Sequence, residues 1–198
     1  MRPKNLQKEQ AIRTIALQMI SAEGLENLSM QKLAKAANIS PRTIYLKYEN
    51  KEDLLIKLFI EEVFGAYEKA VLKNFDETMD FARGMKLLWL NGFHYLTGNR
   101  PAFALMKYGT SSPLLHKAFQ EKNIQQGDFF APIHRFLKTN VTNGTIKNFP
   151  HDVHRALLFS PLFDLVNEYF DYSVRPRQII TEKMILDCCA AVTKGILK

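Results

Sequence analysis

The feature that most constrains the fold is a pair of short, capped helices predicted between residues 29 and 48. Ser29 can cap the first helix through its hydroxyl. Ser40 followed by Pro41 favours a second helix start, since proline suits the first helical position. Asn38 tolerates the left-handed conformation of a tight turn between them. Two short helices separated by a three-residue turn predict a helix-turn-helix.

The surrounding residues predict a small helical domain over residues 1–50. A first helix is expected over residues 5–22 and is followed by Gly24, which favours a helix end. Asn50 is expected to cap a further helix, with Asp53 as its reciprocal partner. This helix should run through residues 51–74 and connect to the rest of the chain. The first helix carries one apolar stripe of Ile12, Ile15, Ala16, Met19 and Ile20.

The second short helix should present a polar face to a partner, with Arg42, Thr43 and Lys47 directed toward solvent. Ile44 and Tyr48 lie four residues apart and can pack inward, with Tyr45 and Leu46 expected at the flanks. Arg42 can bond bidentately to guanine, whereas Lys47 can neutralise a phosphate. Because one α-helix fits the major groove, we predict DNA contacts from this motif. The candidate residues are Ser29, Ser40, Arg42, Thr43, Tyr45, Lys47 and Lys51.

The charge distribution agrees with an anionic partner. Residues 1–50 hold eight basic and four acidic side chains, so they supply +4 of the net charge of +7. A basic N-terminal quarter suits nucleic acid. Charge alone leaves open a solvated basic surface without a partner.

The remainder reads as a second, larger helical domain over residues 75–198, which makes the fold class all-α. Helices are predicted over residues 76–97, 101–108, 113–140, 152–172 and 176–197, and 12 of the 14 phenylalanines lie in this part. Large apolar residues there can line a pocket for a small-molecule effector, although for each residue taken singly simple core packing is the favoured explanation. The ligand-binding candidates are Trp89, Phe93, Phe103, Met106, Phe130, Phe163 and Asn167.

The last two helices are apolar on more than one side. Residues 156–166 have few polar interruptions, and residues 185–192 carry Asp187 as their single charge. A helix that is apolar on most sides needs cover on most sides. A second subunit is one source of cover, and deep burial within one subunit is the other. Pro161 should kink the first of these helices.

A specific pattern runs through about 26 residues of the motif, consisting of Leu33-Ala34, Ala37-Asn38-Ile39-Ser40, Thr43-Ile44-Tyr45, Tyr48 and Asn50-Lys51-Glu52-Asp53-Leu54-Leu55. In this pattern the chain resembles the TetR family of bacterial transcriptional regulators. The resemblance implies a homodimer on a roughly palindromic operator, phosphate contacts near Ser29, Thr43, Tyr45 and Lys51, and an effector site in the second domain. This sequence departs from the family pattern at Asn38, Arg42, Leu46 and Lys47.

Other classes of function find little support. There is no phosphate-binding loop or dinucleotide glycine pattern, and His151 and His154 lack further ligands for a metal site. We therefore expect no catalysis, cofactor or metal. Two adjacent cysteines, no signal peptide and no membrane-length apolar segment predict a cytoplasmic protein. The leading hypothesis is a dimeric DNA-binding transcriptional regulator, a repressor whose operator binding is altered by a small-molecule effector. The alternative is a helical ligand-binding or protein-interaction module without specific operator binding.

Overall fold

The structure is a computed structural model that describes residues 3–109, 120, 129–171 and 178–198, with side chains from residue 9 onward. The predicted all-α class is confirmed, because the described residues contain helices and an isolated bridge between Ile146 and Leu197 but no strand. The helices are α1 Pro3–Glu23, α2 Met30–Ala36, α3 Pro41–Tyr45, α4 Lys51–Lys57, a π-helix Leu58–Phe64, α5 Gly65–Val71, α6 Phe81–Gly98, α7 Arg100–Gly109, α8 Ala131–Thr142, α9 His151–Leu158, α10 Ser160–Phe170 and α11 Glu182–Ile196.

The chain divides into two compact units. The first comprises Met1–Ala66 and Asn99–Gln125, and the second comprises Tyr67–Gly98 and Gln126–Lys198. Helix α7 therefore belongs with the N-terminal helices, although it follows α6 directly in sequence. Local sequence patterns carry no information on this grouping, since it arises from packing between distant segments.

In the first unit, α1 packs against α7, α2 and the π-helix. Its predicted stripe buries Ile12, Ala16 and Ile20, while Ile15 and Met19 are half-buried. The helix ends before Gly24, whose positive φ of 82° suits glycine. This packing holds α2 and α3 on a braced support.

In the second unit, α6 is the central helix and packs against α10 and α11. Its buried residues include Phe81, Met85 and Trp89. The indole Nε1 of Trp89 donates a hydrogen bond of 2.8 Å to the carbonyl of Leu158. Because Trp89 is fully buried, this bond satisfies a polar group that would otherwise be costly to bury.

Several predicted helix bounds need correction. The helix predicted over residues 152–172 is two helices, α9 and α10, which separate at Phe159 ahead of Pro161. This break is the predicted proline effect in a stronger form, since the ring removes a donor and disturbs the preceding turn. The helix expected to reach residue 74 ends at Val71 and contains the π-helix.

The helix predicted over residues 113–140 is interrupted at residues 129–130 and resumes as α8 at Ala131. The last helix begins at Glu182, later than predicted, since residues 178–181 are not helical. The predicted starts at residues 113 and 176 themselves lie outside the described residues.

Candidate nucleic-acid interface

The helix-turn-helix has the predicted caps and turn. Ser29 Oγ accepts a hydrogen bond from the N–H of Lys32 at 3.2 Å, and Ser40 Oγ accepts one from the N–H of Thr43 at 3.3 Å. Asn38 adopts a positive φ of 53°, as expected for the turn. These local bonds satisfy amides that helix starts leave without partners, so they fix where α2 and α3 begin.

The two residues predicted to point inward, Ile44 in α3 and Tyr48 just after it, are also as predicted. Ile44 is completely buried, and Tyr48 is almost completely buried. On the outer side, Arg42 is exposed and 51% of Tyr45 is exposed. Thr43 is half-buried, with its hydroxyl 2.9 Å from that of Ser40. Within the first unit, the side chains of Arg42 and Tyr45 are therefore accessible to a binding partner.

Lys47 is not solvent-directed, so the expectation that it lies on the outer face with Arg42 is wrong. Its side chain is only 19% exposed, and its Nζ lies 2.6 Å from Glu9 Oε2. The hydrogen bond from Lys47 outweighs burial and helps to lower the pKa of Glu9. No local sequence pattern indicates this pair, because the partners are 38 residues apart.

The ammonium group of Lys51 also has partners within the protein. Its Nζ donates to the carbonyl of Leu25 at 2.7 Å and lies 3.5 Å from the carbonyl of Glu26. Lys51 thereby ties the loop before α2 to the first residue of α4. Any phosphate contact has to use the remaining bonding capacity of this ammonium group.

The start of α4 differs in one detail from the expected reciprocal cap. Asn50 Oδ1 accepts from the N–H of Asp53 at 2.8 Å, as predicted. Asp53 Oδ2 accepts from the N–H of Glu49 at 3.1 Å and therefore acts one residue earlier than the expected amide of Asn50. Both bonds still order the segment between α3 and α4.

Arg13 connects α1 to the π-helix and to the residues after α3. Its guanidinium forms ion pairs with Glu9 and Glu61 at 2.7 Å each and with Glu62. Its Nε donates to Tyr48 Oη at 3.4 Å. Burial opposes the charge of Arg13, but these partners outweigh burial and raise its pKa. The spacing of Glu9 and Arg13 is the one local signal that sequence patterns offered.

The position of Leu46 differs from the one predicted from the sequence. It was expected at a flank of the α3 surface, yet 77% of it is exposed. Its N–H donates to the carbonyl of Arg42 at 3.0 Å, so Leu46 continues the helical path. Arg42 and Leu46 consequently lie one turn apart on the same side.

The ligand-binding candidates fall into both units. Phe103 and Met106 are buried in α7 of the first unit. The other candidates belong to the second unit, where Trp89 and Phe93 are buried and Phe130, Phe163 and Asn167 are half-buried. Tyr67 joins part of this set, with ring centroids 5.8 Å from Phe130 and 5.9 Å from Phe163.

In residues 3–109, 120, 129–171 and 178–198, no three His, Cys, Asp or Glu side chains come together as a possible metal site. Over those same parts of the chain, none of the helices combines the length and apolar character that crossing a membrane requires.

Comparison with known proteins identifies the N-terminal motif. Residues 12–58 match the model of the family described as bacterial regulatory proteins, tetR family. A protein of Haemophilus influenzae described as an uncharacterized HTH-type transcriptional regulator is 29% identical over 178 residues, which cover 89% of this chain and 90% of the relative.

Solved structures have the same fold over the whole chain. A TetR family transcription regulator from Marinobacter aquaeolei superposes with a TM-score of 0.83 and 24% identity, covering 100% of both chains. The transcriptional regulator FadR from Bacillus subtilis, solved in complex with stearoyl-CoA, superposes with a TM-score of 0.72 and 19% identity. That match covers 95% of this chain and 99% of FadR.

Proposed function

Because the chain belongs to the TetR family of bacterial regulatory proteins, we propose that it represses transcription as a homodimer on a roughly palindromic operator. Residues 1–50 serve as the DNA-binding domain, and residues 75–198 serve for effector binding and dimerisation. The observation that carries the proposal is the capped, braced α3 with Arg42 and Tyr45 on its outer side. A short helix supported in this way can enter the major groove.

Operator binding is tested with DNA from the promoter region beside the gene for this chain. Affinity for this DNA should exceed affinity for random DNA of equal length by at least about 1,000-fold at moderate salt. Arg42→Ala should relax base preference, because arginine reads guanine through two hydrogen bonds. Equal affinity for both DNAs at every salt concentration would refute the proposal.

That refuting result would favour the second candidate, a helical binding module without operator recognition. The observation in its favour is that the ammonium groups of Lys47 and Lys51 are bonded to acceptors within the first unit. Fewer free cations mean fewer neutralised phosphates and a weaker dependence of affinity on salt. The salt dependence on operator and random DNA therefore separates the two candidates.

We propose that the dimer forms through α10 and α11. A shallow, mostly apolar groove between them is lined by Pro161, Leu165, Cys188, Ala191 and Val192, together with Asp164 and Glu168. Two helices from each subunit can bury such surfaces against each other in an isologous interface. The apolar lining supports this arrangement, since exposed apolar grooves of this kind favour association.

The dimer proposal is tested with one exposed alanine. Ala191→Glu places a charge in the groove without disturbing the core, so the variant should sediment as a monomer. Ala82→Glu is the matched control, because Ala82 is an exposed alanine on α6 outside this groove. The dimer proposal fails if Ala191→Glu and Ala82→Glu give the same oligomeric mass.

We propose a long-chain acyl-CoA as the effector. FadR, which has the same fold, was solved with stearoyl-CoA. In this chain the rings of Tyr95, Phe130 and Phe163 surround Tyr67 as an aromatic cluster, with which an acyl chain could make apolar contacts. Phe130 also adopts a positive φ of 56°, and strained backbone of this kind concentrates at ligand sites.

Stearoyl-CoA should weaken operator binding, whereas free CoA should not, because only the former carries an apolar chain. Phe163→Ala should raise the stearoyl-CoA concentration needed for release. Phe149→Ala is the control, since Phe149 is partly exposed outside the aromatic cluster. Unchanged operator affinity in saturating stearoyl-CoA would exclude this effector class while leaving operator binding intact.

A further inference from the structure

Leu46 is the most exposed large hydrophobic residue among the described residues. It is 77% exposed, compared with 51% for Tyr45, and the other exposed large hydrophobics fall below 46%. A lone exposed leucine is ordinary on a protein surface. The position of Leu46 is informative because it lies beside Arg42, the candidate residue for reading a base.

The helical phase puts Leu46 at the centre of the outer side of α3. Taking the buried Ile44 as the inward direction, a rotation of 100° per residue places both Arg42 and Leu46 about 160° away from it. The helical path extends to these positions, since Leu46 has φ −71° and ψ −15° and Tyr48 N–H donates to the carbonyl of Ile44 at 2.9 Å. Arg42 and Leu46 therefore point in nearly the same direction.

The backbone that carries Leu46 is anchored on both sides. On one side, Ile44 is buried and Ser40 caps the helix. On the other, Lys47 pairs with Glu9, and Tyr48 is buried with its hydroxyl bonded to Arg13. These contacts hold Leu46 outward at a defined position, so its methyl groups can meet a partner with little loss of backbone entropy.

The chemistry of the major groove identifies that partner. Base edges there offer hydrogen-bond donors and acceptors and one apolar group, the C5-methyl of thymine. We propose that Leu46 packs against a thymine methyl in each operator half-site, next to the base that Arg42 reads. This inference rests on the proposed operator binding and adds one specificity-determining residue to it.

The test removes the methyl group from the DNA and the side chain from the protein. In the operator defined by footprinting, each thymine of a half-site is replaced in turn by uracil, which differs only by that methyl. For the wild-type protein, one replacement should weaken binding by about four-fold, the value of one buried methyl-sized group. In Leu46→Ala the same replacement should have no effect.

Two variants serve as controls. Arg42→Ala should keep the sensitivity to uracil, because its contact is with a different base. Leu46→Lys should keep or raise affinity for random DNA, because it adds a cation, and it should lose the sensitivity to uracil. Both positions are exposed, so unchanged circular dichroism should verify folding of each variant.

The inference is overturned if every uracil operator binds the wild-type protein as tightly as the thymine operator. It is also overturned if Leu46→Ala keeps the full sensitivity to uracil. In both cases the preference for operator over random DNA stands, and so does the proposed function. Loss of that preference in the wild-type protein overturns both together.

Discussion

Replacement of Gly84 by alanine should destabilise the second unit through one close contact. Gly84 lies on α6, and a Cβ atom at this position would come within 2.7 Å of Phe136 Cζ. The ring of Phe136 has little freedom to retreat. It stacks on Phe81 at a centroid distance of 5.5 Å and meets Phe75 edge-on at 5.3 Å.

Two opposing terms set the size of the effect. Alanine favours a helix over glycine by about 1 kcal/mol. Overpacking of a close-packed core costs about 1–3 kcal/mol, and a contact this short places Gly84→Ala in the upper part of that range. The net expectation is a loss of about 1–2 kcal/mol in the free energy of unfolding, from the difference between these terms.

Gly195→Ala is the matched control. Gly195 lies on α11, and nothing stands within 4 Å of a Cβ atom there. Only the propensity term applies, so this variant should be as stable as the wild type or up to about 1 kcal/mol more stable. Opposite signs for the two glycines would isolate the contact with Phe136 as the cause.

Urea unfolding followed by tryptophan fluorescence is the appropriate assay. The chain has one tryptophan, Trp89, which is buried on the same helix as Gly84. Phe136→Leu combined with Gly84→Ala should be less destabilised than the sum of the single variants, because the shorter side chain relieves the contact. Equal stability of Gly84→Ala and Gly195→Ala, or strict additivity with Phe136→Leu, would refute the reasoning.

Two substitutions and one chemical modification test other contacts. Lys47→Met should lower the free energy of unfolding by about 1 kcal/mol near neutral pH, the upper end for an ion pair near the surface. It should also flatten the loss of stability in acid, since folding lowers the pKa of Glu9 from 4.5 and that contribution to stability fades as the pH falls. Hydrogen exchange of α1 would measure both effects. Trp89→Phe should lower the free energy of unfolding by about 2 kcal/mol, because the carbonyl of Leu158 loses its hydrogen-bond donor. Urea unfolding followed by circular dichroism measures this loss. Burial raises the pKa of Cys189 to about 11, so its thiol should be alkylated slowly at pH 8. Mass spectrometry of the alkylated protein over time measures this rate.

Each of these expectations has a contrary result. An unchanged acid profile in Lys47→Met would separate Glu9 from Lys47. Stability of Trp89→Phe within about 0.5 kcal/mol of the wild type would mean that the hydrogen bond adds little. Alkylation of Cys189 at pH 8 as fast as that of a free cysteine would contradict its burial.

Local patterns predicted the parts of the interface that local contacts determine. Ser29, Ser40 and Asn50 act as caps through bonds three residues long, and such bonds leave a clear signal in sequence. The inward positions of Ile44 and Tyr48 follow from helical spacing in the same way. The outer position of Leu46 was also within reach of that spacing, because it lies one turn from Arg42.

Contacts between distant segments escaped prediction. Lys47 pairs with Glu9 across 38 residues, and Arg13 pairs with Glu62 across 49. The π-helix likewise has no pattern of its own in the sequence, since its residues read as an ordinary amphipathic helix. The same limit applies to α7, whose place in the first unit depends on contacts with α1.

Because of these long-range pairs, fewer basic side chains of the N-terminal quarter are free to bind DNA phosphates than its net charge suggests. Between residues 9 and 51, the cations of Arg13, Lys47 and Lys51 bond to acceptors within the first unit. Lys32, Lys35 and Arg42 are the exposed basic residues of the same stretch, and Lys32 Nζ lies 3.8 Å from Glu23 Oε2. Since only a cation that neutralises a phosphate releases counterions, the net charge of this stretch overstates the electrostatic part of the proposed DNA binding. Under the proposed function, operator recognition then depends more on the chemistry of the outer surface, where Arg42 and Leu46 lie together.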